Sequence, residues 1–127
     1  MRFAGLALAP GSADGWNSLG AAELGAGNVE EALKHFQRSL EARRDYAPAI
    51  ENLASLYAMS GKPKEAIAAL RYGIQVAPDN ESLYFDLANV YAGSNDKEAA
   101  RSVIELLLER EPGSGNARKA LRELEIR

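Results

Sequence analysis

Apolar residues recur every three or four positions along most of this sequence, as they do on one face of an amphipathic α-helix. Leu33, Phe36 and Leu40 follow that spacing in one segment. Short breaks separate such segments, and they read GAGN, SGKP and GSND. The pattern predicts amphipathic helices in pairs, with a tight turn joining the two helices of each pair.

The pattern returns with a period of 34 residues. Four kinds of position recur in three successive segments, namely a large apolar residue (Trp16, Ile50, Tyr84), a leucine (Leu19, Leu53, Leu87) and two small residues (Gly20, Ala54, Ala88 and Ala32, Ala66, Ala100). Small side chains let two helices approach closely. Each segment is therefore predicted to be a helical hairpin whose apolar face must be covered by its neighbours.

Two local signals mark predicted helix starts. Pro63 fits the first turn of a helix, where its missing N–H costs no hydrogen bond. Asn28, followed three residues later by Glu31, is expected to form a capping box at the start of the second helix of the first hairpin.

These segments resemble the tetratricopeptide repeat, whose 34-residue helix–turn–helix pattern is W-x2-L-G-x2-Y…A-x3-F…P. The matching residues of the first segment are Trp16, Leu19, Gly20, Ala32 and Phe36. Glu23 stands where the later segments have Tyr57 and Tyr91, and Arg44 replaces the closing proline. The resemblance covers roughly residues 13–127 and implies an all-α, right-handed superhelical solenoid of antiparallel helix pairs.

The period also divides the chain. We expect repeats at about 13–46, 47–80 and 81–114, a capping helix at 115–127, and residues 1–12 as the remnant of an upstream repeat helix or a leader. The opening GLALAP aligns with GIQVAP at 73–78, which favours the end of an earlier helix over a signal peptide or a tag. In the last segment Ala117, Leu121 and Leu124 share one side, as in a helix that covers a hairpin and faces water. The array is thus expected to end there and to be open on its N-terminal side.

Composition and charge exclude several functions. The 127 residues are 46% hydrophobic and 26% charged, as in an ordinary folded domain, and the formal net charge is −3. That charge argues against nucleic-acid binding through phosphates, and no apolar run approaches the ~20 residues of a membrane span. With one His and no Cys, we expect no metal and no cofactor. No signal specifies a compartment, and a cytoplasmic location is slightly favoured.

Glu31, His35 and Ser39 lie four residues apart and superficially suggest an acid–base–nucleophile set. However, Ser39 holds the position that Gly73 and Leu107 occupy in the other repeats, which is typical of a packing site. No oxyanion donors accompany the three residues. The sequence therefore predicts that the protein is not an enzyme.

The resemblance also implies a binding surface, because the first helices of such repeats line a concave groove that receives an extended peptide or a partner helix. The groove positions in this sequence are Asn17, Ala21, Glu51, Asn52, Ser55, Met59, Phe85, Asp86 and Asn89. Phe85 lies off the apolar stripe and is either a binding anchor or packed against the next repeat. Glu51 and Asp86 make the groove mildly acidic, so we expect a neutral-to-basic ligand with an apolar anchor. Asn52 and Asn89 are suited to hydrogen-bond a peptide backbone.

Family members that hold the C-terminal carboxylates of heat-shock chaperones use a clamp of Lys, Asn, Asn, Lys and Arg. The corresponding positions here are Asn17, Ala21, Asn52, Ser82 and Asp86. Only Asn52 matches, and Asp86 is expected to repel a carboxylate. This co-chaperone function is therefore not predicted.

The expected function is non-catalytic protein–protein recognition or scaffolding, with a protein or peptide partner in the groove. Two alternatives remain open. The chain is either the repeat region of a larger enzyme or assembly protein, or a module that associates with itself through its open N-terminal end, where Leu6 and Leu8 lack a hairpin partner.

Overall fold

Seven helices make up the fold in the computed structural model, which describes residues 11–126. They are α1 (Ala13–Gly25), α2 (Val29–Ala42), α3 (Ala47–Met59), α4 (Pro63–Val76), α5 (Glu81–Gly93), α6 (Lys97–Arg110) and α7 (Gly115–Ile126). The first six pair as three hairpins, and α7 packs against α6. No strand occurs within residues 11–126, and the predicted all-α solenoid of about three repeats plus a capping helix is confirmed. The predicted upstream helix remnant falls on residues 1–12, of which 1–10 lie outside the described residues.

The turns inside the hairpins share one backbone geometry at the repeat period. Gly27, Gly61 and Asn95 have φ angles of 86°, 73° and 63°, in the left-handed region that glycine and asparagine tolerate. After each of them, the next backbone N–H donates to a carbonyl five residues earlier, as from Asn28 to Glu23 at 2.8 Å. This closing bond ends the first helix and sets the direction of the second.

The small residues lie where the helices of a hairpin meet. Gly20 is buried against the ring of Phe36, and Ala32 is fully buried beside the same ring. Ser39 is also fully buried, and its hydroxyl donates to the Ala13 carbonyl at 2.6 Å. Its interpretation as a packing site is thus confirmed, with a hydrogen bond between α2 and α1 as an added role.

The prediction of a capping box at Asn28 is wrong. The Asn28 side chain makes no cap hydrogen bond, and its amide donates instead to Glu23 Oε1 at 2.7 Å. Glu31 pairs with Lys34 at 3.6 Å. The reason is local, because Glu23 stands where the other repeats have tyrosine and attracts the Asn28 amide. Asp96, at the same repeat position as Asn28, does cap its helix by accepting from the Ala99 N–H.

The three period-matched leucines differ in burial. Leu53 and Leu87 are only 8% and 3% exposed, whereas Leu19 is 49% exposed. Leu40 of the preceding α2 packs into the cluster that contains Leu53, while no helix within residues 11–126 precedes α1. Trp16 is half-buried rather than a core residue. The apolar face predicted for this first helix is therefore only partly covered within residues 11–126.

Candidate functional site

The first helices of the repeats form one continuous surface. α1 contacts α3, and α3 contacts α5. On the opposite side the second helices are spread apart, leaving grooves of about 340 Å³ between α2 and α4 and about 440 Å³ between α4 and α6. A solenoid whose helices touch on one side and separate on the other is curved, so α1, α3 and α5 lie on its inner face.

The nine residues that the sequence predicts for the groove lie on these three helices. Asn17 and Ala21 are on α1, the four residues from Glu51 to Met59 are on α3, and Phe85, Asp86 and Asn89 are on α5. Ala21, Ser55 and Asn89 occupy one repeat position and are exposed. Met59, at the end of α3, is 72% exposed. None of these side chains is part of the buried core.

Asn17 and Asn52 bridge α1 and α3. The Asn52 amide donates to Asn17 Oδ1 at 2.9 Å, and both side chains are half-buried. One of the two N–H donors of Asn52 is therefore already used within the protein. Asn89 is exposed on α5 and has no such partner among the described residues.

Glu51 and Asp86 meet between α3 and α5. Both are half-buried, and burial raises the pKa of each carboxyl; the neighbouring charge of Asp86 raises the pKa of Glu51 further. Glu51 Oε2 is buried and has no hydrogen-bond partner within residues 11–126. The two carboxyls border a recess of about 170 Å³, which also involves Ala54, Ser55, Ala58, Leu70, Asn89 and Val90.

Phe85 is partly packed and also borders open space. Its ring is half-buried against the cluster built around Tyr84 and Ile104. It also lines a second recess, of about 110 Å³, next to the first. Asn89 lines both recesses and so lies on the boundary between them.

The second recess includes residues of α7 that the sequence analysis left out of the groove. They are Ala120, Glu123 and Leu124. A signal for them was present, since Ala120 and Glu123 lie one period after Asp86 and Asn89. The capping role of α7 is also evident, because Ala117 is fully buried and Leu121 packs on the same cluster.

Within residues 11–126, no catalytic set forms around His35. Its ring stacks on Trp16 with centroids 5.5 Å apart, and Arg38 lies 5.0 Å from the Trp16 ring. The Ser39 hydroxyl is bonded to a backbone carbonyl, and Glu31 pairs with Lys34. The part of the chain that is described also contains no group of three or more residues able to hold a metal ion. No described helix has the length and apolar character of a membrane span.

Two family models described as tetratricopeptide repeat match the chain, one over residues 11–79 and the other over residues 57–124. No curated protein sequence matches it.

Solved structures with the same fold include MamA, which is 25% identical with a TM-score of 0.72. The matched region covers 80% of this chain and 56% of MamA. The first TPR of Spaghetti (RPAP3), bound to the HSP90 peptide SRMEEVD, is 20% identical with a TM-score of 0.74, covering 90% and 93%. A tetratricopeptide repeat protein from Parabacteroides merdae is 22% identical with a TM-score of 0.75, covering 89% and 44%. The chain thus spans little more than half the length of MamA.

Proposed function

The chain belongs to the tetratricopeptide repeat family of protein-interaction modules, and from that premise we propose that it acts without catalysis by binding an extended peptide or a partner helix on the inner face of α1, α3 and α5. One observation carries the proposal. This face presents polar and flexible side chains that contribute nothing to the core, with Met59 72% exposed and Ser55 and Asn89 bordering open recesses.

These side chains suit peptide recognition. The Asn89 amide has both a donor and an acceptor, which match the N–H and C=O groups of a peptide backbone. An unbranched methionine adapts to apolar side chains of different shapes. The face therefore combines backbone recognition with a soft apolar contact.

The peptide SRMEEVD, held by the repeats of Spaghetti, is not the kind of ligand proposed here. That peptide has three acidic side chains and one basic side chain. Glu51 and Asp86 would repel its carboxylates, and of the five clamp positions only Asn52 carries the required residue type.

A blocking variant tests the use of the inner face. Random dodecamer peptides displayed on phage are selected on the full chain, and the affinities of synthetic copies are measured by isothermal titration calorimetry. Ser55→Arg fills the recess between α3 and α5 and is expected to weaken the selected peptides at least about tenfold. Ser102→Arg, on the outer face at the groove between α4 and α6, is the matched control and should leave affinity within about twofold. Equal effects of the two variants would contradict the proposal.

Self-association is the second candidate function, and it rests on the exposure of Leu19. An apolar side chain that is 49% exposed in a helix without a preceding neighbour among residues 11–126 is a surface that a second copy can cover. Sedimentation equilibrium tests this candidate. Leu19→Lys should lower the average molar mass towards 13.7 kDa, whereas Leu106→Lys, a leucine 46% exposed on α6, should not. A wild-type chain that is already monomeric at high concentration would rule the candidate out.

A further inference from the structure

No cation among residues 11–126 forms an ion pair with the two half-buried carboxyls between α3 and α5. The ion pairs of the described residues are Lys34–Glu31, Arg43–Asp45 and Arg110–Asp79, and all lie elsewhere. Adjacent carboxylates that are partly removed from water repel each other more strongly than exposed ones do. The site therefore has an excess of negative charge that nothing in the described chain neutralises.

One oxygen of the Glu51 carboxylate is also buried without a hydrogen-bond donor, since Oε2 has no partner within residues 11–126. Buried polar atoms are nearly always hydrogen-bonded, and each exception calls for a physical explanation. An N–H donor supplied from outside the chain would satisfy this atom, and a charged donor would also offset the repulsion from Asp86.

The shape of the recess suits a long basic side chain. Its volume is about 170 Å³, and its apolar lining comes from Ala54, Ala58, Leu70 and Val90. Lysine and arginine bury their methylene stems along apolar surface while their charged ends seek polar partners. The two carboxyls stand beside this apolar lining, so stem and charge are accommodated together.

Among residues 11–126, the side chains that line the recess beside the pair carry no positive charge. The amide among them is that of Asn89, which is neutral. From α7, Glu123 adds a negative charge at the adjacent recess, and Lys119 lies one period after Phe85 with its side chain exposed. Burial raises the pKa of both carboxyls; Asp86 raises the pKa of Glu51 further, whereas a hydrogen bond with Glu51 partly offsets the rise at Asp86.

We propose that the recess between α3 and α5 binds a lysine or arginine side chain of the partner, held by Glu51 and Asp86 together. This deepens the proposed function and rests on it. The Phe85 recess adjoins the first, with Asn89 on the boundary between them. An extended peptide advances about 3.3 Å per residue, so side chains two to four residues apart are separated by about 7–13 Å and suit two adjoining recesses.

Peptides chosen by the display selection described above provide the test. Their sequences are examined for a basic residue two to four positions from an apolar one, and each basic residue is replaced by norleucine in a synthetic copy. Affinities are measured for the wild type, for Glu51→Gln with Asp86→Asn, and for Asp86→Asn alone. The control is the double variant Glu105→Gln with Glu109→Gln. It neutralises two exposed carboxylates of α6 and so removes the same amount of charge at a place distant from the recess.

The expected result is a loss of at least about tenfold from the norleucine replacement, and a similar loss from Glu51→Gln with Asp86→Asn. The two losses should not add, because both remove the same interaction. The control on α6 should change affinity by less than about twofold. Circular dichroism confirms that each variant is folded.

Two other outcomes overturn the inference in distinguishable ways. In the first, the selected peptides lose affinity with Ser55→Arg, but they carry no basic residue and bind equally well to Asp86→Asn and to Glu51→Gln with Asp86→Asn. This outcome supports the proposed function and rules out the site for a basic side chain. Selected peptides that ignore Ser55→Arg, or a selection that returns no binder, overturn the proposed function and the inference with it.

Discussion

Gly20 and Phe36 are fitted to each other in the first hairpin. A Cβ atom placed on Gly20 would lie 2.5 Å from the Phe36 ring, closer than real carbon contacts allow. In the second repeat the same two positions hold Ala54 and Leu70, which share one buried cluster. In the second repeat, Leu70 is smaller than phenylalanine and thus leaves space for the methyl group of Ala54. In the first repeat, the Phe36 ring excludes such a methyl group at Gly20.

Gly20→Ala is therefore expected to destabilise the protein by about 1–3 kcal/mol, the usual cost of overpacking, despite the higher helix propensity of alanine. Urea denaturation measures the free energy of unfolding. Gly25→Ala is the control, because no atom lies near its added Cβ, and it should be neutral or slightly stabilising. Adding Phe36→Leu to Gly20→Ala recreates the pair of the second repeat and should recover part of the loss. A Gly20→Ala variant as stable as Gly25→Ala would contradict this account of the interface.

Leu53→Ala and Leu19→Ala compare one repeat position in two environments. Leu53 is 8% exposed and packs with α2, so its truncation should cost about 2–5 kcal/mol. Leu19 is 49% exposed, and its truncation should cost less than about 1 kcal/mol. Both values come from chemical denaturation under identical conditions. Equal losses would mean that Leu19 is covered in solution, either by a second copy, as self-association predicts, or by the same chain. A dilution series would then distinguish these two causes.

Ser114→Ala tests the capping of α7. The Ser114 hydroxyl accepts from the Ala117 N–H at 3.1 Å and donates to Glu81 Oε2 at 2.8 Å, which ties α7 to the third repeat. Its loss should cost about 1 kcal/mol. Asn28→Ala removes a residue that makes no cap bond and should cost only about a few tenths. If Asn28→Ala cost more than Ser114→Ala, the result would support the predicted capping box at Asn28.

The period of 34 residues was enough to predict the hairpins. It works because each repeat places the same small and large residues at the same contacts, so burial follows the register, as at Ala32 and Ala66. The prediction from the period failed where equivalent positions have different neighbours in different repeats. Leu19 has no preceding helix within the described chain, and Asn28 meets a glutamate where other repeats have tyrosine.

The sequence placed the nine candidate residues on three helices, but it did not predict their contacts with one another or the α7 residues of the second recess. The register placed Glu51 and Asp86 on neighbouring first helices, and the family resemblance implied that both face the groove and make it acidic. Their shared burial and the unpartnered Oε2 atom depend on how closely α3 and α5 approach, which no sequence period specifies. The bond between Asn17 and Asn52 was missed for the same reason.

Stability should depend on pH through the Glu51–Asp86 pair. Burial raises both pKa values in the folded state, so the folded protein binds protons more tightly than the unfolded chain. The pair therefore contributes stability at pH values below the ordinary carboxyl range, and this contribution is lost as the pH rises through the raised pKa values. At neutral pH the two ionised groups repel each other.

Asp86→Asn removes the repulsion and provides an amide that can donate to Glu51. Its melting temperature should exceed that of the wild type at about pH 7.5, and the difference should shrink as the pH falls to about 4. Differential scanning fluorimetry across this range measures both, with Glu105→Gln as an exposed control whose difference from the wild type should stay nearly constant. A variant that is less stable than the wild type at pH 7.5 would show that the carboxyls support the fold. A more stable variant that has lost its basic peptides would show that stability is sacrificed at this site for recognition.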